Sequence, residues 1–264
     1  MGDFTTLSAT VDGRIGRLTL EQADKLNPLG TTTLAEIAAA AAWFDTTKAS
    51  VVIVTGAGRA FSSGFDLREF AGRGPTRDEE GSGPSSNRTA ADLGRRMAEA
   101  MERMSALTIA AIKGPCVGGG LVLAAVCDIR VAADDTEFSI PEVDLGIPLA
   151  WGGIPRLVRE IGPALTRELV LTCRPFDAEE ARSLGFVNRV VPRAELEDSV
   201  DALAAELAGK APFVVRSTKR QVAEAVEALT PTAGAWADAD LLGMAMSDPD
   251  SRAAARAYLT RRRE

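Results

Sequence analysis

The sequence predicts an α/β fold of repeated strand–strand–helix units followed by an all-helical C-terminal extension. Three observations carry this reading. Short, continuously apolar β-type runs recur, among them Val51-Val52-Ile53-Val54 and Ile109-Ala110-Ala111-Ile112, as expected for a sheet buried on both faces. Each of these two runs leads into a glycine-bearing turn: Ser62-Ser63-Gly64-Phe65-Asp66-Leu67 after the first, Val117-Gly118-Gly119-Gly120-Leu121 after the second. Beyond Gly152-Gly153 the segments turn helical, with one late β-run between them.

The elements follow in order. Residues 8–11 and 15–20 read as strands flanking Asp12-Gly13-Arg14, a hairpin turn. Thr31, Thr32 and Thr33 offer N-caps for a helix through about Phe44. Strand 51–54 comes next. The stretch 72–87 is rich in Gly, Pro, Ser and charge and reads as a mobile surface loop. Leu93, Met97, Ala100, Met101 and Met104 share one face of a helix. Strand 109–112, helix 121–127 and strand 129–132 repeat the pattern, and Glu137-Phe138-Ser139-Ile140 leads into Pro141-Glu142. Helices are expected at about 153–160, 164–171, 178–184, 195–209 and 212–229, with a strand at 187–191. The last helix starts near Asp248-Pro249-Asp250 and ends in arginines, both favourable to its dipole.

Composition narrows the function classes. With 264 residues, the chain suffices for one large domain or a domain plus an appendage. A net charge of −7 argues against broad nucleic-acid binding. Cys116, Cys127 and Cys173 are scattered among apolar residues with no CxxC, as expected of reduced thiols in a cytosolic protein. No run approaches a membrane span and no signal-peptide core begins the chain, so a cytoplasmic protein is expected. The chain has no histidine. That removes Ser-His-Asp and Cys-His triads and any His-ligated metal. A general base must then be a carboxylate, or less often Lys, Tyr or Cys. No metal cluster or nucleotide motif appears.

The two turns suggest the chemistry. Adjacent glycines let a backbone come close to a ligand. The first N–H groups of a helix have no partner inside it, and they can bind an anion or a developing oxyanion. Two such turns in one domain suggest a pair of N–H donors converging on one carbonyl oxygen.

Five segments in order resemble the enoyl-CoA hydratase/isomerase family, also called the crotonase family. Lys25-Leu26-Asn27-Pro28-Leu29 is similar to its early "ALNAL" turn, and Arg59-Ala60-Phe61-Ser62-Ser63-Gly64-Phe65-Asp66-Leu67 to its "KAFxAGxDL" loop. The segment 112–129, through Gly118-Gly119-Gly120 and Cys127-Asp128, resembles its second oxyanion segment. FSIPEVDLGIPLAWGGIPRL over 138–157 resembles "FxxPExxLGxxPxxGGxxxL", and 178–192 resembles "AxxAxxxGLVxxVVP". The resemblance covers nearly the whole chain. It implies a crotonase-like superhelix of ββα units over 1–195 carrying an acyl-CoA site, and a helical trimerisation region over 196–264. It implies a homotrimer or homohexamer, and an acyl-CoA thioester substrate whose coenzyme A is part of the substrate, with no separate cofactor. The thioester oxygen would accept from the N–H groups of Phe65 and Gly119, each such donor being worth roughly 3–4 kcal/mol. Substrate binding would involve Lys25, Leu26, Arg59, Ala60, Gly64, Asp66, Leu67, Arg68 and Gly118. Lys25 and Arg59 are phosphate partners or exposed solubilising charges. Asp66 and Asp128 read as acids that fix turns. Tyr258 either closes over the ligand or packs a helix; Arg73, Arg77 and Arg88 either cover the acyl site or face solvent.

The family's hydratases place two glutamates on opposite sides of a water. One would stand two residues after Gly120, where this chain has Val122; the other is present as Glu142. Members resembling Δ3,Δ2-enoyl-CoA isomerases keep only the second, so the resemblance favours a double-bond shift with Glu142 as proton carrier. Ile140, Val143 and Leu145 around Glu142 should raise its pKa. Asp144 is the reserve carboxylate: in an extended segment it would share a face with Glu142, although the stronger reading of it is a solvent-facing or salt-bridged acid. A hydratase with an altered acid/base set, and a non-catalytic acyl-CoA-binding protein, are the alternatives. Hydrolysis or decarboxylation of an acyl-CoA would use the same oxyanion hole.

Overall fold

The computed structural model describes residues 4–66 and 84–261, without the side chains of 84–87, 89 and 90. Its strands are β1 (Leu7–Asp12), β2 (Ile15–Leu20), β3 (Val51–Gly56), β4 (Leu107–Ile112), β5 (Pro115–Val117), β6 (Ile129–Ala133), β7 (Glu137–Ser139), β8 (Phe176–Asp177) and β9 (Arg189–Val191). Its helices are α1 (Thr31–Phe44), α2 (Pro84–Arg103), α3 (Gly119–Ala125), α4 (Gly153–Thr172), α5 (Ala178–Ser183), α6 (Leu196–Ala208), α7 (Pro212–Leu229), α8 (Asp238–Ser247) and α9 (Pro249–Arg261). The fold is mixed α/β with a helical C-terminal region.

The larger sheet has the order β1-β2-β3-β4-β6-β9, and a smaller one the order β5-β7-β8. β1 and β2 pair antiparallel from Leu7↔Leu20 to Asp12↔Ile15, so the predicted hairpin forms, with Gly13 at φ +56° in its turn. The other neighbours in that sheet are parallel, which requires long crossovers. Side chains alternate between faces. Val52, Val54, Ala110, Ile112 and Ala132 join one core with α1, α2 and α3. Val51, Ile53, Ile109, Ala111 and Val131 join a second core with Leu196, Val200, Leu203 and Ala204 of α6. Burial on both faces explains the unbroken apolar runs.

Several boundaries differ from expectation. The N-cap of α1 is Gly30, with no side-chain cap; Thr31 is already helical. Helix α2 reaches back to Pro84, so 84–87 is helical instead of loop, and proline suits a first helical position. The rest of the expected loop, 72–83, lies outside the described residues. The two helices expected from 153 form one run broken at Gly162, which has φ 76° and ψ 167° and precedes Pro163. Strands β5 and β8 were too short to show a period. Helix α8 was missed because Leu241, Leu242, Met244 and Met246 are spread around its axis.

Other readings hold. Met97 and Met101 are fully buried on the predicted face of α2, and Met104 is buried just past its end. Cys116 and Cys127 are buried and Cys173 half-buried, all as free thiols. Asp128 is structural: its Oδ2 accepts from Thr108 N–H and Oγ1–H, both at 2.7 Å, and pairs with Lys219 at 2.8 Å, tying α7 to β4. Among the described residues no helix is long and apolar enough to cross a membrane.

Candidate active site

Three turns are laced together by backbone. Leu26 and Asn27 both adopt left-handed conformations, with φ 61° and 54°. Asn27 Nδ2 donates to Ala57 O and Ala60 O, each at 2.9 Å. Ser63 N–H donates to Leu26 O and Leu29 N–H to Gly64 O, both at 2.8 Å. The 25–29 turn is thereby fixed to the 60–64 turn. That second turn is fixed in its own right to the third: Ser62 N–H donates to Pro115 O at 3.1 Å and Val117 N–H to Ser62 O at 3.0 Å. Gly64 sits at φ +83°, and a Cβ there would lie 2.6 Å from Val117 O and 3.5 Å from Gly119 N. The Phe65 peptide is thus held against the start of α3. Among the described residues neither Phe65 N–H nor Gly119 N–H has an acceptor. Gly119 opens α3, where an N–H has no partner within the helix.

Glu142 reaches the same place from another segment. Leu145 N–H donates to Pro141 O and Ile147 N–H to Glu142 O, so the chain curls tightly after Pro141. The Glu142 carboxylate fills the space beside Gly118, where a Cβ would collide with Oε1 and lie 3.3 Å from Oε2. Its Oε2 is buried with no hydrogen-bond partner among the described residues. Burial pushes the Glu142 pKa up from 4.5 to about 7, opposed only by the residue's own backbone N–H.

A cavity of about 1420 Å³ brings these groups together: Phe65, Gly119, Val122 and Glu142 line it, with Trp151 beside them and α8 and α9 along the far side. The three residues expected to be catalytic therefore converge. Leu26, Ala60, Gly64 and Gly118 build the turns, while Lys25 and Arg59 stand exposed outside the cavity lining, and Asp66 is half-buried next to Phe65. Leu67, Arg68, Arg73 and Arg77 lie outside the described residues. Two residues with alternative readings can be placed. The segment at Asp144 curls instead of extending, so Asp144 leaves the face of Glu142 and is exposed, away from the cavity, as the solvent-facing reading expects. Helix α9 lines the cavity through Ser251, Ala255 and Leu259, and Tyr258 does not line it. Arg88 does line it, ion-paired with Asp240 of α8 and lying 6.0 Å from the Trp236 ring centroid.

The sequence reading passed over Asn27 and Trp151 as individuals. Trp151 is 8% exposed, takes φ +63°, and meets Phe65 edge-on with ring centroids 6.1 Å apart. The available signal was a tryptophan directly before Gly152-Gly153.

Residues 10–264 match the family model described as enoyl-CoA hydratase/isomerase. The chain belongs to that family. Among its relatives is the peroxisomal Δ(3,5)-Δ(2,4)-dienoyl-CoA isomerase of Arabidopsis thaliana, 38% identical over 177 residues, which are 64% of this chain and 63% of the isomerase. A probable enoyl-CoA hydratase of Mycobacterium tuberculosis is 33% identical over 85% of this chain and 83% of its own. The crystal structure of an enoyl-CoA hydratase from Bacillus anthracis matches with a TM-score of 0.77 at 31% identity, covering 84% of each chain. The fold of this hydratase/isomerase family member is accordingly the crotonase fold. Hydratases and an isomerase both stand among its relatives, so membership gives acyl-CoA chemistry without choosing between them.

Proposed function

We propose that the protein is an acyl-CoA enzyme that shifts a C=C bond through a thioester enolate, with Glu142 carrying the proton. The observation that supports this is the state of one carboxylate. Of the described acids lining the cavity, Asp240 is paired with Arg88, and Asp248 accepts from Ser251 N–H at 2.8 Å. Glu142 has no such partner at its buried Oε2.

The thioester oxygen accepts from Phe65 N–H and Gly119 N–H. Ionised Glu142 takes a proton from C2 of a 3-enoyl-CoA. The electron pair of that C–H bond moves toward the thioester, giving a dienolate held by the two donors. Protonated Glu142 then returns the proton to C4, leaving a C2=C3 double bond. A pKa near 7 lets one carboxyl group both accept and return a proton at neutral pH. Val122 presents an apolar side chain where a hydratase has the other of its two carboxylates, so water there lacks an activating base. Coenzyme A lies across the 25–29 and 59–66 turns with its phosphates toward Lys25 and Arg59, and no further cofactor is needed. The helical region 196–264 assembles the chain into a cytoplasmic homotrimer or homohexamer.

Hydration of a 2-enoyl-CoA is the second reading, favoured by the hydratase names of relatives that span most of the chain. The test mixes the purified protein with a 3-enoyl-CoA and follows conjugation, with Glu142→Gln alongside. We expect 2-enoyl-CoA from the wild type and a loss of at least about 100-fold in the variant. Hydration of 2-enoyl-CoA without conjugation would select the second reading. Binding without either reaction would leave an acyl-CoA-binding protein.

A further inference from the structure

The indole of Trp151 fills two spaces that glycines leave open. A Cβ on Gly94, inside α2, would collide with Cδ2, Cε2 and Nε1 of the ring. A Cβ on Gly119, at the start of α3, would collide with Cζ3 and lie 2.6 Å from Cη2. The ring is therefore clamped between two helices. Its contact with Phe65 is edge-to-face, with planes at 79°. One side chain thus touches both Phe65 and Gly119, whose N–H groups have no acceptor among the described residues. Glycine is unfavourable inside a helix, and Gly94 stands there because the ring leaves no room for a methyl group.

The main chain under the ring is held equally firmly. A left-handed φ is unusual for an aromatic residue and persists only where surroundings enforce it. Buried Arg156 donates from Nη1 to Trp151 O at 2.9 Å, while Glu102 accepts from Arg156 Nε at 2.9 Å. Asp238 accepts from Gly152 N–H at 2.7 Å. Glu142 and Trp151 also come from one stretch of chain and dock on adjacent glycines, Gly118 and Gly119.

We propose that Trp151 is a positioning residue that sets the spacing of the Phe65 and Gly119 N–H donors and thereby the stability of the enolate. This rests on the reading above, in which the enolate forms by proton removal from a 3-enoyl-CoA. Positioned donors act most strongly on charge that develops in the transition state. Disturbing the ring should therefore slow enolate formation more than it weakens ground-state binding.

The full chain is tested with 3-butenoyl-CoA in D2O. Loss of substrate and uptake of deuterium together report dienolate formation, and calorimetry with butyryl-CoA reports binding. Gly94→Ala pushes on the ring from outside the cavity and should not impair helix folding. It is expected to slow dienolate formation at least tenfold with butyryl-CoA affinity within threefold of wild type. Adding Trp151→Phe makes room for the new methyl and is expected to restore most of the rate. Trp151→Ala is expected to lose about 100-fold. Rates unchanged in the folded variants would overturn the inference alone. Rate and affinity falling in parallel would also overturn it, making Trp151 a wall of the pocket. No dienolate from the wild type, despite butyryl-CoA binding, would sink the double-bond-shift reading and this inference with it.

Discussion

Glu142 shows how one residue can serve activity at the expense of stability. Its folded pKa of about 7 lies above the ordinary 4.5. Between those values the folded protein keeps a proton that the unfolded chain has released. Stability therefore falls as pH rises through this window, by about 3 kcal/mol in full. Activity should move the other way, because the base must be ionised: the rate should climb as pH rises through about 7. Glu142→Gln is expected to be inactive yet about 2 kcal/mol more stable near pH 8, net of burying an unpaired amide, with the gain gone below pH 4.5. Urea melts across that range check it; equal stability near pH 8 would mean the carboxylate is not desolvated. Gly118 was legible as a glycine needed for close approach. What approaches it is Glu142, which the sequence did not show. Gly118→Ala meets two obstacles, φ +50° and the carboxylate itself. We expect a loss of about 2 kcal/mol in stability and at least about 100-fold in turnover, measured by melts and the conjugation assay.

At the scale of elements, hydrophobic period made most strands and helices readable. The buried methionine face of α2 and the apolar strands β3 and β4 are examples, because their side chains answer directly to burial. Short pieces were not readable. β5 is a strand because β7 pairs with it on one side and Ser62 bridges to Cys116 on the other, and not through any preference of its three residues. The 25–29 turn likewise depends on Asn27, whose amide satisfies two carbonyls of the neighbouring turn. Asn27→Ala leaves Ala57 O and Ala60 O without that donor and is expected to cost about 3 kcal/mol. It should also loosen the Phe65 peptide. Amide hydrogen exchange at 60–66 together with a urea melt would show it, and unchanged protection there would argue that the turns are held by other contacts.

For the molecule as a whole, the cavity has walls from both ends of the chain. Among the described residues, the buried members of the two apolar cores run from Leu7 to Ala208 and none comes later. Helices α8 and α9 instead line the cavity, and α8 packs on α2. Truncation after Ala237 is expected to preserve the circular dichroism of the sheet core but weaken acyl-CoA binding at least about tenfold, since apolar wall area is lost. Calorimetry would measure it; undiminished affinity would mean that the helices do not contact the ligand. The sequence by itself determined the repeated α/β architecture, the family, and the candidate donors and base, because burial period and glycine-bearing turns are local signals. Only the tertiary structure decided that Asp144 faces away, that Trp151 is clamped by Gly94 and Gly119, and that the Glu142 carboxylate lies beside Gly118 with its Oε2 unpartnered among the described residues. Those facts depend on which side chain fills the space another segment leaves empty, and no spacing within one segment records that.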